Sequence, residues 1–387
     1  MAMAELKAEI LKYLKDSEGV RVLTGQFGSY GDGTDYATAQ DQLDRIAAKT
    51  GGVYPAITGM DYAMPGGMDS ATKFMIDKWR EGYLVHASWH MPNPFTGGGA
   101  GVNPESSVNL AQAYTTDTAV NKKFRQQLDT VAFQLAKLRD AGAPVFWRPF
   151  HEMNGDWFWW KATGGKAEQF KQLWIYTHNY LTNVKGLNNL MWCFSPNHAW
   201  DEWHKMLPSV YYPGNAYVDS VGLDKYASTS ERPVKLNTFG DYDDLVKTGK
   251  PLLLWEFGGL EASSAGWDVP NAVKWDQIVP QLKTSYPKLV GFQAWEWVWQ
   301  IAADNATGVK AMFDLPYTIA RHELPKWGSV VTPPIDPPDD PPVDPPAPSE
   351  DMLSALESTA VNALIDAKLS AFKASLKFNA STTVTLN

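Results

Sequence analysis

Two glutamates each close an otherwise apolar run: Glu152 ends VFWRPFHE and Glu256 ends PLLLWE. A carboxyl set among aromatics is pushed toward its neutral form by loss of solvent, and two carboxyls sharing one site push each other the same way. Such a pair can divide acid and base work. One protonates a departing oxygen and later takes a proton from water, while the other attacks an anomeric carbon and holds the sugar covalently. If both side chains face one cleft at about 5–5.5 Å, this chemistry is glycoside cleavage with retention of configuration. Arg148 or Tyr226 is a candidate to keep the attacking carboxylate ionised by hydrogen bonding. The Trp and Phe residues around Glu152 supply apolar surroundings for its proton. A lone glutamate at a strand end is ordinarily a solvated loop residue. Two of them, both bracketed by aromatics, favour the catalytic reading.

Eight short apolar, β-branched or aromatic runs are expected as strands: Val20–Phe27, Val53–Tyr62, Tyr83–His90, Val145–Glu152, Leu190–Ser195, Val218–Tyr226, Pro251–Phe257 and Val290–Trp297. Between most of them lie stretches long enough for helices, such as Asp117–Ala141 and Ala167–Lys185. Continuous apolar strands alternating with helices imply a parallel sheet, and eight units predict an α/β fold of the (β/α)8 type. A doubly wound open sheet is the alternative. No G-x-G-x-x-G follows the first strand, and Gly25, Gly28, Gly31 and Gly33 lack that spacing, which weighs against it. In a (β/α)8 barrel the active site lies at the carboxyl ends of the strands. The candidates there are Gln26, Asp61, His90, Arg148, His151, Glu152, Asn197, Asp224, Tyr226, Glu256 and Trp295.

Composition narrows the function classes. The 387 residues carry a net charge of −9, without the basic footprint that nucleic-acid binding wants. No apolar run reaches the 18 or more residues of a membrane span. The amphipathic start, MAMAELKAEILKYLKDSEG, has no apolar core or cleavage site of a signal peptide, which leaves cytoplasmic residence, a mature form or another release route open. The single cysteine, Cys193, excludes an internal disulfide. No His/Asp cluster has metal-ligand spacing, so neither metal nor cofactor is expected. The 17 tryptophans suit either sugar faces or a barrel core. Residues 1–330 read as the catalytic domain, and the Pro/Asp run at 331–349 as an extended linker. Residues 350–387 read as a short amphipathic helical tail, too small for its own core and suited to oligomerising or docking on a larger assembly.

The long motif WRPFHEMNGDWFWW (Trp147–Trp160) resembles the acid/base motif of glycoside hydrolase family 26, among the retaining (β/α)8 hydrolases of clan A. WEFGG (Trp255–Gly259) is similar to its nucleophile motif. The likeness extends through SWHMPNP, CFSPN, YPGNAYVDSVGLDKY and FQAW, over roughly residues 20–327. It implies Glu152 as acid/base and Glu256 as nucleophile. It implies that His151, where most of the clan has Asn, orients the sugar and the carboxylate pair. By the same resemblance His90, Arg148, Trp157, Asp224 and Tyr226 line the subsites around the cleaved bond, and Trp295 is a stacking floor. The activity implied first is endo-β-1,4-mannanase. Relatives that cut β-1,3-xylan or mixed-linkage β-1,3-1,4-glucan make those the alternatives. Delivery is then expected to be extracellular or surface-associated, and the linker and tail also raise an exopolysaccharide depolymerase carried on a larger particle. Two features depart from the family pattern: Lys161, where Gly often follows WFWW, and the Gly-rich insert TGGGAGVNP (Thr96–Pro104), expected as a loop shaping one end of the cleft.

Two readings of other classes compete. A sugar-binding barrel without catalysis would have no need of both glutamates. An open-sheet enzyme for phosphorylated sugars would show a phosphate cradle at a helix N-terminus, and the Gly-rich insert lacks the Gly-Lys-Ser/Thr of such a cradle.

Overall fold

The first apolar run breaks into two short strands, β1 (Val22–Leu23) and β2 (Gly25–Phe27). Between them the Thr24 hydroxyl donates to the carbonyl of Ile319 at 2.9 Å. The other runs form β3 (Ile57–Asp61), β4 (Leu84–Trp89), β5 (Val145–Pro149), β6 (Leu190–Phe194), β7 (Ser220–Ser228), β8 (Leu252–Leu260) and β9 (Leu289–Ala294). A two-residue strand that hydropathy did not reveal, β10 (Thr318–Ile319), pairs with β1. Every pairing between these strands is parallel, and β2 through β9 follow one another in order. The β9 strand pairs back onto β1 and β2, which act together as one stave. The closed result is the expected (β/α)8 barrel.

In this computed structural model the described residues are 1–29, 36–63, 67–101, 108–199, 205–228, 234–260, 273–296, 299–304 and 306–327. All of them belong to one compact unit, Met1–Val331. The expected linker 331–349, the tail 350–387 and the last residues of the Gly-rich insert lie outside the described residues.

The helical stretches form where the apolar period requires. Helix Ala119–Asp140 buries Phe124, Leu128, Val131, Leu135 and Leu138, spaced four and three apart, and Thr118 caps it by accepting from the Asn121 amide. Helix Ala167–Asn179 continues as a π-helical turn, Tyr180–Val184. Most of the fully buried tryptophans (Trp89, Trp147, Trp159, Trp160, Trp174 and Trp192 among them) fill the layer between strands and helices. The aromatic content is therefore mainly core, and only a minority of it serves the cleft.

Alternation along each strand sends every second residue into the barrel. Inward positions are apolar at the amino ends, where Ile57, Leu84, Phe146, Met191 and Leu253 share one cluster. They turn polar toward the carboxyl ends, with Asp61, Ser88, Arg148, Ser195, Asp224 and Tyr226. Glycine makes room where the interior is tightest: a Cβ on Gly59 would lie 1.8 Å from the His86 carbonyl oxygen.

The amphipathic N-terminal helix, Met3–Asp16, closes the amino end of the barrel. Leu6, Ile10 and Leu14 pack into the same cluster as the lower barrel residues, and Lys7 Nζ donates to the Leu190 carbonyl at 2.6 Å. Ile10 is fully buried, so Ile10→Ala should cost about 2–5 kcal/mol of stability. Because the catalytic candidates lie at the opposite end, kcat below the melting transition should be unchanged. Denaturant melts with parallel rate measurements check both halves of this expectation.

Candidate active site

Glu152 does not sit on a strand. The β5 strand stops at Pro149, and Phe150 and Glu152 both take left-handed backbone, with φ 54° and 52°. Such angles are uncommon outside glycine and must be held by their surroundings. Here Glu152 N–H donates to the Ser195 carbonyl at 2.8 Å, and Trp160 Nε1 donates to the His151 carbonyl at 2.7 Å. The Phe150 ring is locked among Phe124, Trp159, Trp160, Phe170 and Trp174. Much of the aromatic density in WFWW thus serves to force this turn.

Glu256 reaches the site by a different device. Along β8 the pairing with β7 runs Leu223 to Leu254 and then Asp224 to Glu256, skipping Trp255. An extra residue of this kind puts two successive side chains on one face. Trp255 drops into the lower interior cluster, and Glu256 points into the cleft above it.

The Arg148 guanidinium, fully buried, joins the acids together. It donates to Asp224 Oδ2 at 2.6 Å, to Ser88 Oγ at 3.1 Å and, in a very short contact, to Glu256 Oε1. Ser195 Oγ donates to the other Asp224 oxygen. Tyr226 Oη donates to Glu256 Oε2 at 2.8 Å. Burial raises the Tyr226 phenol well above its ordinary value, so it stays a donor. One carboxyl oxygen each of Glu152, Asp224 and Glu256 lie within 4.8 Å of one another. Among the described residues this trio is the acid cluster close enough to hold a cation, and the guanidinium already rests against two of its members. The arrangement suits proton and glycosyl transfer rather than metal coordination.

Glu152 is 9% exposed and Glu256 4%. Burial first, then the charge of Glu256, raises the Glu152 carboxyl from its ordinary 4.5 to about 7. Two hydrogen bonds moderate the shift: Trp157 Nε1 donates to Oε2 and Asn197 Nδ2 to Oε1, each at 2.7 Å. Asn197 is set by Asn154, whose Oδ1 accepts from its amide at 2.8 Å. The part of the Gly-rich insert that is described bears on this same segment. Gly101 bridges to Phe158, and Trp159 N–H donates to the Ala100 carbonyl at 3.1 Å.

The histidines form a second line. His90 Nδ1 lies 2.8 Å from Asp61 Oδ2, and His90 Nε2 lies 2.9 Å from His151 Nε2. Trp295, just past β9, is 6% exposed and stacks on Phe27 at 4.4 Å, with the His90 ring edge-on to it at 6.3 Å. The structure therefore gathers Glu152, Glu256, His90, Arg148, His151, Trp157, Asp224, Tyr226 and Trp295 at one end of the barrel. Motif reading passed over Ser88, Ser195 and Asn154. Their only signal was proximity to strand ends, which small hydroxyl and amide residues share with any loop.

The model of glycosyl hydrolase family 26 matches residues 2–323. The chain belongs to this family. A mannan endo-1,4-β-mannosidase of Bacillus subtilis strain 168 is 29% identical over 84% of the chain and 87% of its own length. Another, from Caldalkalibacillus mannanilyticus, is 30% identical over 81% of the chain and 60% of its own length. The solved structure of a Bacillus subtilis mannanase superposes with a TM-score of 0.69 at 28% identity, covering 84% of this chain and 94% of that one. The family 26 protein is thus a glycoside hydrolase, an enzyme on a (β/α)8 barrel.

The alkaline limb of kcat/KM should report Glu152, falling near pH 7. Trp157 and Asn197 donate to the ionised form and hold the value down. Trp157→Phe or Asn197→Ala should therefore move that limb to higher pH, as checked by pH–rate profiles on a soluble oligosaccharide.

Proposed function

We propose that the enzyme is a retaining endo-β-1,4-mannanase working by double displacement, with Glu256 as nucleophile and Glu152 as acid/base. The observation that carries this reading is the carboxyl pair within 4.8 Å, one member against a guanidinium and a phenol, the other desolvated with a raised pKa. That separation suits direct attack and leaves no room for the intervening water that inversion requires.

In the first step Glu256 attacks the anomeric carbon, the glycosidic C–O bond breaks, and the Glu152 proton goes to the leaving oxygen. Glu256 surrenders its charge to the new ester, so Glu152, now a carboxylate, becomes easier to keep ionised. The hydrogen bonds from Trp157 and Asn197 then favour that anion. In the second step water gives its proton to Glu152 and attacks the same carbon, and Glu256 departs as a carboxylate stabilised by Arg148 and Tyr226. His90, His151 and Asp224 are assigned to orienting the sugar bound at the cleaved bond, and Trp157 and Trp295 to packing its apolar face. Mannan is the substrate of choice because both curated relatives named above are mannan endo-1,4-β-mannosidases. A polymer of that kind is met outside the cell, so action is assigned to the extracellular space or a surface. Among the described residues no helix is long and apolar enough to cross a membrane.

Reducing-end release should be greatest on mannan and galactomannan, with mixed short oligosaccharides appearing early, and low on β-glucan and β-1,3-xylan. Glu256→Ala should abolish turnover while retaining affinity for mannooligosaccharides. Glu152→Ala should lose about 10²–10⁴-fold on the polysaccharide, and much less on an aryl glycoside whose leaving group needs no proton. Absence of product from every glycan would overturn the reading.

A further inference from the structure

The hydrogen-bond partners along the line Asp61, His90, His151 point to one proton order. Asp61 is buried, and each of its oxygens meets His90: Oδ1 accepts from the His90 backbone N–H at 3.0 Å, and Oδ2 lies 2.8 Å from His90 Nδ1. Burial pushes the Asp61 carboxyl up, but His90, with the Ser88 hydroxyl adding to it, outweighs this and leaves it below its ordinary value. An ionised carboxylate only accepts, so His90 Nδ1 carries the proton. Were His90 protonated at Nε2 as well, His151 would have to accept there and carry its own proton on Nδ1, where no acceptor is found among the described residues, so His90 Nε2 is bare. The contact of 2.9 Å to His151 Nε2 needs one hydrogen, and His151 must supply it. His151 Nδ1 is left bare, in a place where the ring is fully buried and that atom has no hydrogen-bond partner among the described residues. The reverse order would put an N–H there with nothing to accept it, which is the costlier arrangement.

We propose that Asp61 is a positioning residue that acts through His90 to hold His151 as its Nε2–H tautomer beside the nucleophile. His151 Nε2 stands 4.0 Å from Glu256 Oε1, so the hydrogen borne there lies next to the carboxylate that must be recovered in the second step. Asp61 and His151 face His90, while Arg148, His86 and Glu256 surround His151. Burial, then Arg148, then the neighbouring histidines lower the His151 imidazole well below its ordinary value. Asp61 also reaches Glu256 by a second arm, through Ser88 and Arg148. One buried aspartate thereby sets both neighbours of the nucleophile. This inference rests on the hydrolase reading above, but its first test needs no turnover.

The test is a 1H–15N correlation spectrum of the histidine rings in the full chain at pH 7, feasible with seven histidines, alongside steady-state kinetics. Wild type should show His90 protonated at Nδ1 and His151 at Nε2. In Asp61→Asn the amide oxygen must still accept from the His90 backbone, so the NH2 group faces Nδ1 and both tautomers should invert. With the fold intact, kcat on mannooligosaccharide should drop about 10–100-fold, less than when a wrong tautomer silences a histidine that is itself the base, with KM changed little. A wild-type His90 protonated at Nε2, or on both nitrogens, overturns the proposal. So does an Asp61→Asn variant that keeps the wild-type tautomers, or one that inverts them without loss of kcat. If Asp61→Asn does not fold, the wild-type spectrum alone decides. A correct proton order in a protein inactive on every glycan would sink the hydrolase reading and leave the tautomers standing.

Discussion

One buried cation serves three buried carboxyls. Arg148 can neutralise Asp224 and Glu256, whose oxygens it touches, but Glu152 lies in the same low-dielectric pocket with no cation of its own among the described residues. Two negative charges against one positive are tolerable there; three are not. The surplus is relieved by a proton, and Glu152, the one acid of the three that Arg148 does not touch, is the acid placed to carry it. The division of labour proposed for the two glutamates is thus what charge balance favours, with no need for special chemistry at either residue. Removing the guanidinium would leave uncompensated charges in the barrel, a loss of about 3–5 kcal/mol in comparable buried pairs.

The rest of the architecture holds that imbalance in place. The lower half of the barrel is apolar and covered by the N-terminal helix, so the acids have hydrophobic packing beneath them. Above it, inward positions become polar within two to four residues, from Ile57 to Asp61, Leu84 to Ser88, Phe146 to Arg148 and Met191 to Ser195. The two catalytic candidates arrive by irregular backbone: a left-handed turn after β5 and a skipped residue on β8. Both irregularities are strained or unpaired states that persist because aromatic packing and strand pairing around them are extensive.

Much of this was legible in the residues themselves. The eight strand runs and the parallel barrel follow from apolar periodicity, because each strand is covered on both faces. Glu152, Glu256, Arg148, Asp224 and Tyr226 follow from their places at strand ends, and the family resemblance added Trp157 and ordered the roles. The exact delivery of the glutamates was not legible. Strict alternation would place Trp255 and Glu256 on opposite faces, and only the observed pairing reveals that both point inward. Nor does spacing reveal that Glu152 lies past its strand, or that Ser88, Ser195 and Asn154 complete the hydrogen bonds. Such residues act by three-dimensional proximity, across 29 positions between Ser195 and Asp224 for example, and leave no local pattern. The β10 strand escaped because two residues are too few to show a period.

The most direct measurement is to trap the intermediate with a 2-deoxy-2-fluoro-mannosyl donor bearing a good leaving group and to map the labelled peptide by mass spectrometry. A single sugar adduct on Glu256, formed in wild type and absent in Glu256→Ala, is the result expected. An adduct on Glu152, or no adduct while the enzyme releases product of inverted configuration, would contradict the account.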